Sequence, residues 1–104
     1  ASLISPPETY TPNIDVIKFQ IELETGCKMR VNSGYRTPEH NKRVGGVPGS
    51  YHLKDRARDI VPVNRKCISL KKLAKIACKY ATTIKYHNHI HIDNRKKKIC
   101  FKRK

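Results

Sequence analysis

Two segments of the chain combine histidine with aspartate, the residue types that bind metals and transfer protons. The first is His52–Asp59, which has an imidazole at one end and a carboxylate at the other. The second is His87–Asp93, where histidine stands at every second position before the final aspartate. Two imidazoles and one carboxylate form a ligand set typical of catalytic zinc sites, with one coordination position left for water. The two segments therefore predict a zinc site and, with it, a small metallohydrolase.

Alternation within the second segment indicates which of its histidines are functional. If the segment is a β-strand, its three histidines and Asp93 share one face, and the two isoleucines between them share the other. A row of such polar groups requires hydrogen bonds or a metal. We expect His89 and His91 to serve the site, whereas His40 and His87 are expected to be structural or exposed.

Three helices are predicted to surround these segments. The first begins at Thr11–Pro12, with a hydroxyl cap and a proline in the first turn, and ends at Gly26. The second runs from Thr37 to about Val44. The third is capped by Ser69 and carries apolar residues on one face with lysines opposite, namely Leu70, Leu73, Ala74, Ala77 and Ala81.

Strands are predicted at residues 27–32, 57–63, 82–93 and 98–101. Helices and short strands are mixed without a βαβ rhythm, so the predicted class is α+β with a small antiparallel sheet. The 104 residues are expected to form a single domain with one modest core. An extended arm over about 1–10 and a basic end over about 95–104 would flank it.

The charge of the chain predicts an anionic partner. Twenty-three Lys and Arg residues against eight Asp and Glu give a net charge of +15, which attracts nucleic acid, an anionic cell wall or a membrane surface. The basic end is either a solvated tail or part of that interaction. No apolar run approaches the roughly 20 residues of a membrane span. The chain also starts without a basic-then-apolar signal segment, so we expect any export signal to have been removed or never to have existed.

The four cysteines are Cys27, Cys67, Cys78 and Cys100. Their wide spacing argues against a zinc finger or a dithiol redox site. Four cysteines allow two disulfides in three connectivities. Because several of them lie in apolar segments, buried free thiols are the favoured interpretation, and the cellular compartment stays open.

An ordered set of motifs resembles the M15 zinc peptidases, the D-Ala-D-Ala carboxypeptidases and phage endolysins that cut peptidoglycan peptides. The motifs extend from about residue 14 to residue 95: Ser33–Pro38, His40-Asn41, Val44–Gly46, Ser50-x-His52 with Ala57-x-Asp59, and His91–Asp93. The resemblance implies the fold shared with the hedgehog signalling domain. In that fold a small antiparallel sheet carries zinc on one face and helices pack against the other.

The resemblance also implies roles for individual residues. It makes His52, Asp59 and His91 the ligands of a Zn²⁺ ion. Asp55 stands where the family often has glycine, and aspartate tolerates the left-handed conformation that a turn there requires.

Substrate contacts follow from the same motifs. Arg36 would hold a substrate carbonyl or carboxylate, with Tyr35 and Ser50 also at the substrate. His89 resembles a histidine that lies beside the zinc and stabilises the oxyanion.

The general base is left open by the sequence. Many family members carry an acid three residues before the last ligand, where this chain has Asn88. An amide cannot accept the proton, and a general base contributes about 10²–10⁴-fold. Asp93 either takes this catalytic role or orients a ligand, and Glu39, His87 and His89 are the other candidates.

The leading hypothesis is a monomeric zinc peptidase that hydrolyses an amide bond in the peptide stems of peptidoglycan, as an exopeptidase or an endopeptidase. It would act in the cell wall or periplasm, or in the host cytoplasm if it is a phage lysin without its own export signal. Attraction to an anionic wall polymer would help the enzyme to reach its substrate. The alternative is a catalytically weak or inactive zinc-stabilised module that binds cell wall, a protein or nucleic acid. Nucleic acid is disfavoured because aromatics are only 7% of the chain and no groove-reading motif is present.

Overall fold

The computed structural model describes residues 13–34, 37–46 and 55–102. These residues form three helices and five strands. In chain order they are α1 (Ile14–Thr25), β1 (Met29–Ser33), α2 (Pro38–Arg43), β2 (Ala57–Pro62), α3 (Leu70–Ala77), β3 (Thr82–Lys85), β4 (Ile90–Asp93) and β5 (Cys100–Lys102). The α+β class predicted from the sequence is confirmed.

The five strands form one sheet in the order β1-β2-β4-β3-β5. All neighbours are antiparallel except β3 and β5, which are parallel. The sheet is therefore mixed, and the predicted small antiparallel sheet is confirmed only for β1, β2, β4 and β3. The chain leaves β4 and returns across the end of the sheet to the outer edge of β3. There the Ile99 N–H donates to Thr82 Oγ1 at 2.9 Å and the Thr83 N–H donates to the Ile99 carbonyl at 3.0 Å.

The predicted strand over residues 82–93 is in fact a hairpin, β3 and β4 joined by residues 86–89. Its turn is closed by the Tyr86 N–H, which donates to the His89 carbonyl at 3.0 Å. The turn has a physical reason, because residues 85–89 offer no aliphatic side chain that a continuing strand could bury. His87 and His89 therefore precede β4, and the predicted alternation holds only for His91 and Asp93.

Local capping defines the helix ends. The N-cap of α1 is Asn13, whose Oδ1 accepts from Asp15 N–H at 2.8 Å, so the predicted start at Thr11–Pro12 is wrong. Gly26 ends this helix with φ 70°, a left-handed conformation that suits glycine.

The other two helices start as predicted. Thr37 caps α2 and Ser69 caps α3, where Ser69 Oγ accepts from Lys72 N–H at 3.2 Å. Helix α3 ends at Ala77, so Ala81 contributes to the core from beyond the helix.

The hydrophobic core lies between one face of the sheet and the helices α1 and α3. Its members are Ile14, Ile17, Ile21, Cys27, Met29, Ile60, Leu73, Ala77, Ala81, Ile90 and Ile92. Each fully buried isoleucine or leucine contributes about 1.5–3 kcal/mol relative to an exposed one. Ile90 and Ile92 are both 0% exposed, as the alternation predicted, and this orientation turns His91 and Asp93 to the opposite face of the sheet.

All four cysteines are paired, Cys27 with Cys67 and Cys78 with Cys100. The favoured prediction of buried free thiols is wrong. An apolar setting does not distinguish the two states, because a disulfide sulfur packs in a core as readily as a thiol. The Cα atoms are 6.1 and 6.0 Å apart, within the usual range for a disulfide.

Within the described part of the chain, every helix is too short or too polar to cross a bilayer.

Candidate metal centre

The central strands β2 and β4 bring Asp59 and His91 together. The two residues are direct partners in the antiparallel register, and both face away from the core. His91 Nδ1 lies 3.3 Å from Asp59 Oδ1. The two side chains are each only 11% exposed, so their contact is largely shielded from solvent. This pair unites one residue from each of the two segments that the sequence singled out.

Asp93 lies on the same face and supports His91 from the other side. Its Oδ2 accepts from His91 Nε2 at 2.7 Å, and its residue exposure is 0%. Arg95 donates to the same carboxylate from Nε at 2.8 Å, from Nη2 at 2.6 Å and from its backbone N–H at 3.1 Å. A buried carboxylate is costly unless it is paired in this way.

Protonation in this cluster is set by the balance of burial and hydrogen bonding. Burial acts to raise the pKa of Asp93, but the hydrogen bonds from Arg95 and His91 outweigh it and lower the pKa to about 2. Burial acts to lower the pKa of His91, but its hydrogen bonds to Asp59 and Asp93 leave that pKa raised. Both shifts favour the charged forms of the two side chains, which are paired with each other.

Asp59 and His91 are donor types that a divalent metal such as zinc accepts, and they are two of the three ligands predicted from the sequence. Asp93 accepts the Nε2 hydrogen of His91, so the nitrogen that faces Asp59 is Nδ1. Metal-binding histidines commonly donate their other N–H to a carboxylate in this manner. To bind a metal through Nδ1, His91 would have to lose any hydrogen on that nitrogen, because a metal-binding imidazole nitrogen is deprotonated.

Several of the predicted site residues lie outside the described residues. The third predicted ligand, His52, and the predicted substrate residues Tyr35, Arg36 and Ser50 belong to this group. Over residues 13–34, 37–46 and 55–102, no group of three or more His, Cys, Asp or Glu side chains is arranged to hold a metal. The described part of the chain thus supplies two of the three predicted ligands.

His89 reaches the same place from the turn between β3 and β4. Its Nε2 lies 3.9 Å from Asp59 Oδ2, and its side chain is 24% exposed. Its Nδ1 lies 2.7 Å from Asn88 Oδ1, and its ring stacks on Tyr86 with centroids 4.6 Å apart and planes 9° apart. His89 therefore lies beside the candidate metal position although it is not part of the strand.

The remaining candidates for the general base lie elsewhere. Glu39, in α2, and His87, in the turn, are both exposed. Among the described residues, neither of them forms a hydrogen bond or ion pair with Asp59, His89 or His91.

Two residues of the site were missed in the sequence. Arg95 was assigned to the basic end of the chain, although its place two residues after a strand carboxylate was an available signal. Tyr86 gave no signal of its own, because its stacking on His89 depends on the turn that the sequence did not predict. Asp55, in contrast, has φ 56°, the left-handed conformation predicted for it.

A protein-family model described as Peptidase M15 matches residues 5–93 of the chain. This span contains the predicted ligands His52, Asp59 and His91 and ends at Asp93. No curated protein matches the chain.

Proposed function

Because the chain belongs to the peptidase M15 family, we propose that it is a zinc peptidase that hydrolyses an amide bond in the stem peptides of peptidoglycan. Family membership supports a peptidase, and zinc dependence is general in this family. The observation that carries the proposal is the buried unit of Asp59, His91 and Asp93 on the face of the sheet opposite the core.

Three residues would hold the metal. We assign His91 and Asp59, which face each other across β2 and β4, together with His52 from the segment before β2. When bound, zinc supplies a Lewis acid that polarises a carbonyl and makes water acidic near neutral pH. Asp93 fixes the His91 ring through Nε2 and would thereby increase its basicity as a ligand.

Asp93 fits the orienting role better than the role of general base. It is 0% exposed and already accepts hydrogen bonds from both His91 and Arg95. Its pKa of about 2 also makes it a weak proton acceptor at neutral pH. His89 is better placed for contact with a substrate, because its side chain is partly exposed and lies next to Asp59. We therefore assign to His89 a catalytic contact with the reacting group of the substrate.

Arg36, Tyr35 and Ser50 complete the proposed site on the substrate side. The guanidinium of Arg36 suits a peptide carboxylate or carbonyl, because it presents several donors in one plane. Both a D-Ala-D-Ala carboxypeptidase and an endopeptidase of the stem agree with this assignment.

The charge and the disulfides agree with a substrate in the cell wall. A net charge of +15 would concentrate the protein on an anionic wall polymer. The pairing of all four cysteines is typical of proteins that work in an oxidising compartment outside the cytoplasm.

The direct test is to incubate the zinc-loaded protein with purified peptidoglycan and to identify new peptide termini by mass spectrometry. Free D-Ala would indicate a carboxypeptidase, and new internal termini an endopeptidase. His52→Ala should lose both stoichiometric zinc and turnover, whereas His87→Ala, which changes an exposed histidine nearby, should keep both. A stoichiometric zinc content with no new termini would refute the peptidase and favour the zinc-stabilised binding module.

A further inference from the structure

In the turn between β3 and β4, two neighbouring side chains contact the ring of His89. Asn88 lies 2.7 Å from the ring through its Oδ1, and Tyr86 stacks on the ring. The backbone fixes the same geometry, because the Tyr86 N–H donates to the His89 carbonyl at 3.0 Å. All three residues thus form one compact unit beside Asp59.

The contact with Asn88 decides which nitrogen of His89 carries hydrogen. An amide oxygen can only accept, so the 2.7 Å contact requires a hydrogen on Nδ1 of His89. Nε2 is then the nitrogen presented to Asp59, at 3.9 Å from its Oδ2.

Stacking on Tyr86 decides the plane of the ring. The two rings are nearly parallel, with an angle of 9° and centroids 4.6 Å apart. Rotation of the imidazole out of this plane would break the stacking. A half-turn about its Cβ–Cγ bond keeps the plane but loses the hydrogen bond to Asn88. Tyr86 therefore fixes the plane of the ring, and Asn88 fixes which edge faces the site.

We propose that Asn88 and Tyr86 are positioning residues that hold His89 with Nε2 turned towards the metal site. Asn88 acts through the neighbouring histidine, whose ring it contacts at 2.7 Å. The kinetic consequence rests on the proposed peptidase function, whereas the orientation of the ring can be measured without it.

The first test is the tautomer of His89 in the metal-free protein, read from the ¹⁵N shifts of its ring by NMR at a pH where the ring is neutral. The variant His87→Gln lacks the His87 ring, so the ring signals of His89 can be distinguished from those of His87. The wild type and Asn88→Asp, which keeps an acceptor oxygen, should show hydrogen on Nδ1. Asn88→Leu, which has a similar shape but no acceptor, should show a mixture of tautomers.

The second test is a comparison of turnover with substrate affinity. Asn88→Leu and Tyr86→Ala should lower kcat about 10-fold with little change in KM, since a misplaced catalytic group costs rate rather than binding. Tyr86→Phe keeps the ring and should behave like the wild type, and Asn88→Asp should retain most of the activity.

The proposal is overturned if Asn88→Leu keeps the single tautomer of the wild type, or if Tyr86→Ala leaves the His89 ring signals unchanged. Both variants alter a surface turn, and their folding is checked by circular dichroism. Should the wild type show no peptidase activity, the proposed function fails but the NMR outcomes still decide the positioning role.

Discussion

Asp93 accepts the Nε2 hydrogen of His91 at 2.7 Å from a position without solvent exposure. This contact agrees with the orienting role that the sequence offered for Asp93 beside the role of general base, and in the proposed site it would support His91 as a metal ligand. We expect Asp93→Asn to weaken zinc binding about 10–100-fold, the usual effect of losing such a partner. Competition with a chromogenic chelator measures the affinity. An unchanged zinc affinity would contradict the assignment.

Arg95 should matter for stability rather than for substrate. It supplies three of the hydrogen bonds to the Asp93 carboxylate, and Arg95→Ala would leave that buried charge with fewer partners. Because hydrogen bonds to charged groups contribute about 1.5–3 kcal/mol, we expect a loss of about 2 kcal/mol in the free energy of unfolding. Urea denaturation of the metal-free protein measures it, and Lys96→Ala, an exposed neighbour, should change little. Equal stabilities for both variants would show that Arg95 adds nothing.

Reduction of the disulfides should destabilise the protein strongly. The bridges Cys27–Cys67 and Cys78–Cys100 close loops with sequence separations of 40 and 22 residues. A disulfide that closes a loop of this length stabilises the folded protein by about 3–4 kcal/mol, because it restricts the unfolded chain. We expect unreduced protein to resist alkylation at every cysteine and dithiothreitol to lower the unfolding midpoint. Four alkylated cysteines in unreduced, folded protein would refute the pairing.

The contact between α1 and the end of α3 predicts a dependence of stability on pH. Glu24 accepts from Lys79 Nζ at 2.7 Å and from the Tyr80 hydroxyl, and these two hydrogen bonds lower the pKa of Glu24 below 4.5. A carboxylate whose pKa is lower in the folded state stabilises the protein at pH values above its unfolded pKa. This stabilisation is lost as the pH falls through the folded pKa. Glu24→Gln should therefore be less stable than the wild type at pH 7, and this difference should fade below about pH 4.

The same contact predicts a second loss at alkaline pH. The hydrogen bond to Glu24 raises the pKa of Tyr80 above 10.0 and that of Lys79 above 10.5. Groups whose pKa is raised by folding stabilise the protein at pH values below their unfolded pKa. This stabilisation is lost as the pH rises through the folded pKa. Denaturation midpoints of wild type and Glu24→Gln, measured between pH 3 and pH 11, check both limits. A stability difference that is constant over this range would contradict the role of Glu24.

For the proposed function, we expect the lysines of α3 to contribute to cell-wall binding and to leave hydrolysis of a soluble peptide unchanged. Lys71, Lys72 and Lys75 are exposed on a helix that packs on the face of the sheet opposite Asp59 and His91. Changing all three to glutamate should weaken binding to isolated cell walls and reduce the dependence of that binding on salt. Turnover of a soluble stem peptide should stay at the wild-type rate. The matched control is Lys96→Glu, Lys97→Glu and Lys98→Glu, and equal wall binding by both triple variants would show that only net charge matters.

Sequence patterns predicted the parts of the fold that depend on neighbours in the chain. The caps at Thr37 and Ser69, the stop at Gly26 and the alternation of Ile90 with His91 are local signals, and the structure confirms them. The hairpin turn was not predicted, because the polar residues 85–89 next to a strand are equally compatible with a longer strand.

Long-range pairings could not be read in the same way. The parallel contact of β5 with β3 and the partners of the four cysteines depend on where distant segments meet, which composition does not encode. At the site, the juxtaposition of Asp59 with His91 was anticipated, whereas the links from Arg95 to Asp93 and from Tyr86 to His89 emerge only in three dimensions.

The pairing of Asp59 with His91 in the register of β2 and β4 has a consequence for folding fidelity. A slip of β4 by one residue would turn Ile90 and Ile92 to solvent and His91 into the apolar core, because side chains alternate with a period of two. The apolar contacts that select the correct strand alignment therefore also assemble the chemical centre. A misaligned chain would lose its core and the pairing of Asp59 with His91 in the same event.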